Sequence, residues 1–483
     1  MRISAASDNL PVVVIAVAAI TTMVRLHVAV QPLVLTSLLG LAWASQPKSS
    51  GHGSSHGNKP NKGTDPIQQF NDRIKNVVIL VQENRSFDQI AGGLNYTTDI
   101  DGLVFRSFCN PTNASIPLSP PVCALPIAAN VAPNDPNHGV SGVSYELYST
   151  FRPNETAVDL GIEQATMMGF VTEQATTFPS SGASGATEAV NFLTPNHIPV
   201  LSTMAENFVL FDRWFAAIPG PTNSNRAYLT SGTSHGFGDD SNFGVPPVPA
   251  LPQVSIFQQL TEKNMTWINY SNRTFPDAPD AAFYNWTLST GINKTNVLPI
   301  ANFFSDAAAG KLPKLTYINP ECCLFNSFHP PGPVDLGELF IKRIYEALRA
   351  GPQWNEMLFV LTFDEHGGFG DHVPPPVNVP AGDNLTWTEV AQDGRNVTFD
   401  FKRLGVRVPT IIMSPWVERG AVEHAGINFG NEYTHTSIIN TLASVWGLDR
   451  LTPRSAWSAT FEHLITEEMR TDTPMTLPEP VIF

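Results

Sequence analysis

Four short apolar runs with polar residues on either side predict strands that are buried on both faces. Each run has eight residues or fewer and consists mainly of aliphatic and aromatic side chains. Because such a run has no polar face, it is typical of a parallel sheet covered by helices on both sides. The four predicted strands are Ile74–Val81, Leu315–Ile318, Met357–Phe363 and Val406–Met413.

Two further segments repeat apolar residues with the period of a helix. In Leu336–Ala350 they stand at positions 336, 339, 340, 344 and 348, and Gly351 ends the pattern. A second helix is predicted from about residue 434 to 446, before Gly447. Strands that alternate with helices predict an α/β fold with a mostly parallel central sheet. Ligands bind such sheets at the carboxyl ends of the strands.

The first 44 residues are predicted to be a signal peptide. Apolar runs over 10–24 and 26–44 are separated by Arg25, and the second ends in Ala-Trp-Ala, a signal peptidase site before Ser45. An uncleaved membrane anchor is the alternative, although neither run reaches the ~20 residues that spanning requires. Translation from Met23 is a further alternative, which would give a signal of ordinary length.

The mature chain is predicted to begin with a flexible segment and to continue as one domain. Residues 45–66 contain Gly, Ser, His, Asn and Lys with almost nothing apolar, which is typical of a flexible segment. Residues 67–483 are then expected to form a single folded domain. The 28 Lys and Arg against 43 Asp and Glu give a net charge of −15, which excludes a nucleic acid held by bulk charge. A phosphorylated ligand would need a metal ion or local cationic groups.

Eleven N-x-[ST] sequons indicate passage through a glycosylating secretory pathway. Five of them lie within residues 264–296, which is therefore expected to be a glycosylated surface insertion. The protein is predicted to be extracellular, either free or attached to a cell wall. The sequons are at Asn84, Asn95, Asn113, Asn154, Asn264, Asn269, Asn272, Asn285, Asn293, Asn384 and Asn396.

The four cysteines allow three pairings in an oxidising compartment. A disulfide between Cys109 and Cys123 would staple one loop, and the adjacent Cys322 and Cys323 are either paired with each other or used separately. No C-x-x-C spacing is present, so a cysteine-based zinc site is not expected.

Two clusters of polar residues directly follow predicted strands. Residues 83–88 (ENRSFD) bring Glu83 and Asn84 to the end of the first strand, and residues 364–373 (DEHGGFGDHV) follow the third. Adjacent carboxylates at Asp364 and Glu365 repel each other unless a cation lies between them. Oxygen ligands of this kind suit a divalent cation, whereas the alternative is a pair of polar turns.

A third cluster, residues 219–226 (PGPTNSNR), places Thr222 at the predicted start of a helix. There the helix dipole favours an anion and helps to ionise a hydroxyl, although this segment taken alone is better explained as a simple helix cap. Together with the other two clusters, it makes Thr222 a candidate nucleophile activated by metal coordination. His329 and His138, each in a polar loop, could stabilise phosphate charge or protonate a leaving oxygen, or be surface residues. His435 is a cap or packing residue.

These motifs, in this order from Ile74 to Arg454, resemble a secreted, fungal-type member of the phosphoesterase family. That family contains phospholipases C and related acid phosphatases, and the resemblance implies an alkaline-phosphatase-like fold with three layers (α/β/α). The resemblance implies that a divalent metal ion is held by four residues together with the nucleophile Thr222. The four residues are Glu83, Asn84, Asp364 and Glu365.

The resemblance also implies that Thr222 attacks phosphorus to form a phosphothreonine, which water then hydrolyses. His329, and with a poorer fit His138, match histidines that assist the phosphoryl or leaving oxygen. Asp371 and His372 lie in the last motif without a defined role. The chain departs from the usual pattern at three positions, and these departures bear on substrate preference. They are Gln89, Ser224 and Gly370.

The expected function is that of a secreted phospholipase C, a phosphoric diester hydrolase that cleaves the glycerol-side phosphate ester of phospholipids. The apolar loops Val245–Leu251 and Ala281–Trp286 are expected to receive acyl chains. Peripheral contact with a membrane surface is expected from the catalytic domain itself. An acid phosphatase for soluble monoesters is the alternative, and a non-catalytic secreted glycoprotein is a third interpretation.

Overall fold

A computed structural model describes residues 64–483, except 117, 274–276, 324 and 427–430. The predicted signal peptide and nearly all of the predicted flexible segment 45–66 lie outside the described residues. Pro66, the last residue of that segment, is the first residue of a helix. Residues 63–483 group into one compact unit by their contacts, while the domain bounds themselves stay a prediction.

The strands of the described residues are numbered in chain order. They are β1 (Asn76–Gln82), β2 (Cys109–Pro111), β3 (Pro121–Cys123), β4 (Val209–Phe211), β5 (Trp214–Phe215), β6 (Trp267–Ser271), β7 (Val297–Pro299), β8 (Leu315–Asn319), β9 (Met357–Phe363), β10 (Trp387–Val390), β11 (Asn396–Phe399), β12 (Thr410–Met413), β13 (Ala421–Glu423) and β14 (Tyr433–Thr434).

The α-helices of the same residues are numbered in the same way. They are α1 (Pro66–Arg73), α2 (Phe87–Ile90), α3 (Val140–Tyr148), α4 (Glu155–Asp159), α5 (Phe170–Thr177), α6 (Gly182–Thr187), α7 (Pro199–Asn207), α8 (Thr222–Ser231), α9 (Ile256–Glu262), α10 (Asn285–Thr290), α11 (Asn293–Asn296), α12 (Ile300–Ala309), α13 (Val334–Ala350), α14 (Thr436–Trp446) and α15 (Pro453–Trp457).

Eight strands form the central sheet, in the order β13-β4-β12-β9-β1-β8-β6-β7. All neighbouring pairs are parallel except those of β12, which runs antiparallel to both β4 and β9. The predicted α/β fold with a mostly parallel central sheet is therefore confirmed. The β12 strand begins at Thr410, four residues later than predicted, and its direction was not anticipated.

Helices cover both faces of this sheet. On β6, the Trp267 ring packs against Phe257 of α9 at 4.8 Å between centroids, whereas the Tyr270 ring packs against Phe303 of α12 at 5.7 Å. Residues three apart on a strand point to opposite faces, so α9 and α12 lie on opposite sides of the sheet. This confirms the predicted three-layer arrangement.

The two central strands β1 and β9 position the polar clusters. Every residue of both strands is buried, as expected for the middle of a covered parallel sheet. Their parallel register places Gln82 opposite Phe363, so the residues that follow each strand emerge side by side. The bounds of β9 agree with the prediction, and those of β1 shift by one or two residues.

The segment 264–296 is not the surface insertion that its sequons suggested. Residues 267–271 form β6, which lies between β8 and β7 in the central sheet, and β7 follows directly after the segment. Asn269 is fully buried, so its sequon is inaccessible in the folded protein, as is that of the buried Asn84. Asn264 and Asn285 in the same segment are exposed.

Residues 101–192, which we call the cap segment, contain β2, β3 and α3 to α6 and supply all but one of the buried residues of a second core, to which Val406 also belongs. Buried residues of this core include Phe108, Leu147 and Phe170. The predicted Cys109–Cys123 disulfide joins β2 to β3, and the second disulfide joins Cys322 to Cys323. Among the described helices, none combines the length and apolar character needed to cross a membrane.

Candidate active site

Thr222 is the first residue of α8, as the sequence predicted. The turn before it is closed by Asn225, whose Oδ1 accepts from Ile218 N at 3.0 Å and whose Nδ2 donates to Gly220 O at 2.7 Å. Thr222 is only 5% exposed, and the ten-residue helix directs its positive dipole end toward the hydroxyl. This position favours the ionised form of the hydroxyl.

Three of the predicted site residues meet here from three different elements. Thr222 Oγ1 donates to Asn84 Oδ1 at 3.2 Å, and Asn84 N donates to Asp364 Oδ1 at 3.1 Å. Asn84 has φ of +56°, an uncommon conformation for a residue other than glycine. Gly367 (φ +65°) packs so closely that a Cβ there would lie 2.3 Å from the Asn84 carbonyl oxygen. The loops after β1 and β9 are thus pressed against each other at Asn84.

A fully buried arginine, Arg226 of α8, connects the carboxylates of the site. Its Nε donates to Asp364 Oδ2 at 2.9 Å, and its Nη2 donates to Glu83 Oε1 at 3.2 Å. Its Nη1 donates to Asp280 Oδ2 at 3.4 Å. Arg273 Nη2 also donates to Glu83 Oε1, at 2.7 Å. The two arginines hold the pKa of Glu83 below its usual value, although burial acts in the opposite direction.

The two other acidic residues of the site, Asp364 and Glu365, are buried in surroundings that favour a bound cation. Burial raises the pKa of Asp364 well above its ordinary value, and the neighbouring Glu83 and Glu365 add to the effect that Arg226 opposes. Glu365 Oε1 is buried and has no hydrogen-bond partner among the described residues. Carboxylate, amide and hydroxyl oxygens are hard ligands, so this donor set fits a divalent cation.

The predicted ligands do not form one tight cluster of carboxylates. Within the described part of the chain, Glu83 shares a group of ligand atoms within 4.8 Å of one another with His329, Cys322 and Cys323. Asp364 and Glu365 are members of no such group there; Asp364 is linked to Glu83 through Arg226. The vicinal disulfide borders the site, since Cys322 Sγ lies 3.6 Å from Glu83 Oε2.

The two predicted histidines stand next to each other across an acidic residue. His138 Nδ1 donates to Pro136 O at 2.7 Å and its Nε2 lies 3.4 Å from Asn84 Nδ2, while the His138 and His329 rings are 6.2 Å apart. Asp135 lies between them, with Oδ1 at 3.8 Å from His138 Nδ1 and Oδ2 at 3.8 Å from His329 Nε2. Although burial opposes protonation, Glu365 and Asp135 raise the pKa of His138 to about 10. Asp135 was missed; its position three residues before His138 was the available signal.

His366 was part of the predicted motif without an assigned role, and the structure shows its partners. His366 Nε2 lies 2.9 Å from Glu146 Oε2, and its Nδ1 lies 3.4 Å from Glu365 Oε2. These two carboxylates raise the pKa of His366 to about 9 against the effect of burial. The buried imidazole therefore connects α3 of the cap segment with a predicted metal ligand.

His435 supports the site through the backbone of Asp364. Its Nε2 donates to the Asp364 carbonyl oxygen at 2.5 Å, and its Nδ1 accepts from Trp214 Nε1 at 3.3 Å. Burial lowers the pKa of His435 to about 4, so the ring is neutral and both nitrogens are used. This agrees with the packing role that the sequence suggested.

Asp371 and His372 belong to a separate cluster. Arg407 donates to Asp371 Oδ1 at 2.9 Å and to Asp88 Oδ1 at 3.0 Å, and His372 Nδ1 lies 2.7 Å from Asp88 Oδ2. These contacts tie the loop after β9 to α2. The cluster holds the loop in place, and none of its contacts reaches Thr222.

The three departures from the family pattern have local explanations. Gln89 Oε1 accepts from Arg85 Nη1 at 3.2 Å, and Ser224 Oγ donates to Asp239 O at 2.8 Å. A side chain at Gly370 would meet the Phe108 ring at 2.8 Å. The small residue at position 370 thus accompanies close packing of the cap segment.

One of the two loops expected to receive acyl chains is closed. Ala281, Phe283 and Tyr284 are fully buried, the Phe283 ring packs on Phe243 at 5.3 Å, and the Tyr284 hydroxyl bonds to Thr230 of α8. The expectation for residues 281–286 is therefore wrong, because these side chains fill the core behind α8.

The chain is similar to proteins of one known family over most of its length. The match to the phosphoesterase family spans residues 74–449. The chain is 37% identical over 432 residues to non-specific phospholipase C6 of Arabidopsis thaliana, covering 85% of this chain and 76% of that protein. Phospholipase C B of Mycobacterium tuberculosis is 25% identical over 415 residues, covering 78% and 74%.

Among solved structures, a protein of the alkaline phosphatase superfamily from Vibrio parahaemolyticus has a TM-score of 0.31 and 11% identity. It covers 54% of this chain and 63% of that chain. The resemblance that the four motifs indicated is confirmed by the span of the family match and by the identity to the plant relatives. The chain belongs to the phosphoesterase family.

Proposed function

We propose that this protein is a secreted phospholipase C that hydrolyses the glycerol-side phosphate ester of phospholipids, with Thr222 as the nucleophile. The observation that carries the proposal is the position of the Thr222 hydroxyl at the start of α8, bonded to Asn84 beside Asp364. Relatives named as phospholipases C from a plant and a bacterium support the choice of a lipid diester.

Five residues are proposed to hold a divalent cation. They are Glu83, Asn84, Thr222, Asp364 and Glu365. When bound, such a cation would supply positive charge to the phosphoryl oxygens and lower the pKa of the Thr222 hydroxyl. Arg226 and Arg273 remain with the carboxylates and keep Glu83 ionised.

In the proposed reaction, the Thr222 hydroxyl loses its proton to solvent, Thr222 Oγ1 forms a bond to phosphorus, and the bond from phosphorus to the glycerol oxygen breaks. That oxygen leaves as the hydroxyl of diacylglycerol and needs a proton. His138 is the candidate donor because its pKa of about 10 keeps it protonated, and because the ring lies beside the Asn84 side chain, whose Oδ1 accepts from Thr222. His329, on the other side of Asp135, is proposed to stabilise the phosphoryl oxygens. Water then attacks phosphorus and gives a proton to His138, the bond from phosphorus to Thr222 Oγ1 breaks, Thr222 takes up a proton from solvent, and the phosphorylated head group leaves.

Secretion is proposed on two observations. Six sequon asparagines are exposed in the structure, and two disulfides are formed. The exposed asparagines are Asn95, Asn154, Asn264, Asn285, Asn384 and Asn396. The protein is proposed to reach its phospholipid substrate through peripheral contact with a membrane surface. The net charge of −15 disfavours a nucleic acid as a partner.

Parallel assays on phospholipid vesicles and on a soluble phosphomonoester test the function. The purified protein is supplied with each of several divalent metals, and products are identified by mass. Diacylglycerol together with a phosphorylated head group supports the proposal. Inorganic phosphate from the monoester alone would assign an acid phosphatase, and no product from either substrate would favour the non-catalytic interpretation. Asp364→Asn serves as the control, with lower metal affinity and a lower rate expected.

A further inference from the structure

Exposed apolar side chains are concentrated in the cap segment. Of the twenty large apolar side chains exposed among the described residues, ten lie between positions 104 and 168, although this stretch is a small part of the chain. Large exposed apolar patches on soluble proteins mark interaction sites. Seven of the ten lie within residues 104–131, which we call the apolar rim. They are Val104, Phe105, Ile116, Leu118, Leu125, Ile127 and Val131.

The apolar rim is almost free of charge. Residues 102–134 contain one charged residue, Arg106, whereas the chain as a whole has a net charge of −15. Arg106 is neutralised by Asp101 at 2.6 Å. A charge-free surface on an acidic protein avoids repulsion from the phosphate groups of lipids and suits a partner that is itself apolar and electrically neutral.

Local structure keeps these side chains on the outside. The Cys109–Cys123 disulfide joins the strands of the β2–β3 hairpin, and Ala124 N donates to Phe108 O at 2.8 Å. Phe192 N donates to Leu125 O at 3.0 Å. Phe108 is buried inside the cap segment, whereas Phe105 is 75% exposed and Ile127 is 61% exposed. The exposure therefore belongs to a tied segment, not to a loose loop.

The apolar rim leads into the active site. Asp135 and His138 follow it by four to seven residues, and Asn130 O accepts from Val334 N at the start of α13. Phe108, between the exposed positions, contacts the loop after β9 at Gly370. The apolar rim is therefore connected to the active site in two ways: through the chain that continues to Asp135 and His138, and through the loop after β9, which also carries Asp364 and Glu365.

We propose that the apolar rim docks the protein onto the interfacial region of a zwitterionic phospholipid bilayer and brings the lipid phosphate to the site. The inference rests on the proposed function, because it assigns the surface through which that substrate is reached. A bilayer is favoured over a protein partner because the apolar rim carries almost no charge, which suits a zwitterionic surface, and because Val131 at its end lies four to seven positions before Asp135 and His138, which are proposed to act beside the lipid phosphate. It also replaces the closed loop 281–286 as the lipid-contacting region.

The test compares two pairs of apolar-to-acidic substitutions in the full chain. Phe105→Asp/Ile127→Asp alters the apolar rim, and Val254→Asp/Met475→Asp alters exposed apolar residues elsewhere. All proteins carry Asn113→Gln, so that no glycan at this sequon shields the apolar rim. Binding to phosphatidylcholine vesicles is measured by sedimentation. Turnover is measured on the same vesicles and on short-chain phosphatidylcholine below its critical micelle concentration.

The proposal expects the rim pair to lose at least about tenfold in vesicle binding and vesicle turnover. Turnover of the monomeric lipid, and both properties of the control pair, should be unchanged. Equal vesicle binding by the rim pair and the parent overturns the proposal. The proposal is also overturned if the parent is a dimer and only the rim pair is monomeric, because the apolar rim would then be a contact between two copies of the chain. A parent that binds vesicles through the apolar rim yet hydrolyses neither lipid supports the surface and refutes the proposed function.

Discussion

Glu146 Oε2 lies 2.9 Å from His366 Nε2, and both side chains are almost completely buried. The other ring nitrogen of His366 lies 3.4 Å from Glu365 Oε2. A carboxylate of the cap segment is thus connected through one imidazole to a proposed metal ligand. Such outer partners orient the ligands they contact.

Substituting Glu146 should weaken metal binding without removing a ligand. In Glu146→Gln the amide still reaches His366 but no longer supplies charge, so metal affinity should fall by about tenfold. Calorimetric titration with a divalent metal measures the effect, and Glu468→Gln on the exposed surface is the control. Equal affinities of Glu146→Gln and the parent would show that Glu146 only fills space.

Arg226 should be a major stabilising residue. Its removal leaves Asp364, Glu83 and Asp280 buried with less compensating charge, so Arg226→Met should lower the free energy of unfolding by about 3–5 kcal/mol. The free energy of unfolding of Arg226→Lys should lie between those of Arg226→Met and the parent, because the lysine ammonium keeps the positive charge but cannot make the planar contacts of the guanidinium. Urea denaturation measures both, with the exposed Arg395→Met changing stability by less than about 0.5 kcal/mol. A small effect at Arg226 would contradict the described pairing.

Substitutions of His138 and His329 should slow hydrolysis in different ways, depending on the leaving group of the substrate. If His138 protonates the glycerol oxygen, His138→Gln should slow lipid hydrolysis by about 10²–10⁴-fold. A nitrophenyl diester, whose leaving group needs no proton, should be affected far less. His329→Gln should slow both substrates to a similar degree, since it is proposed to act on the phosphoryl oxygens. The reverse pattern would exchange the two roles.

Glu338 of α13 should make stability depend on pH. It accepts from Val200 N and Leu201 N in the first turn of α7, but burial raises its pKa from the ordinary 4.5 to about 8. Between these values the folded protein holds a proton that the unfolded chain has lost, so the free energy of unfolding decreases as pH rises from 4.5 to 8.

Glu338→Gln cannot titrate and should lose this contribution, which is at most about 1.4 kcal/mol per pH unit. Urea denaturation at pH 5, 6.5 and 8 compares the variant with the parent. The stability difference between them should change steadily with pH. A constant difference across this range would show that Glu338 keeps its ordinary pKa in the fold.

The sequence predicted the positions of the central strands because their signal is local. The apolar run Met357–Phe363 is bounded by polar residues, and the structure gives the same limits to β9. Parallel neighbours end at the same edge, so Asn84 and Asp364 could be expected to meet. The place of Thr222 at the start of α8 followed from the Pro-rich turn before it.

Features that depend on distant partners could not be predicted. Asn269 reads as a glycosylation site, yet it is buried in β6 because its Nδ2 donates to Asn319 Oδ1, fifty residues away. Glu146 and His366 are 220 residues apart in sequence. The role of Arg226 likewise requires Asp364, at a separation of 138 residues. In each case a polar residue is buried only because the fold supplies its partner.

The central claim is that Thr222 forms a covalent bond to the phosphorus of a phospholipid. The direct measurement is acid quenching during turnover of phosphatidylcholine vesicles, followed by mass analysis of the peptide that contains Thr222. This peptide should gain the mass of a phosphorylated head group less one water, and Thr222→Ala, while folded as stably as the parent, should show neither the adduct nor turnover. Full turnover by Thr222→Ala would contradict the claim.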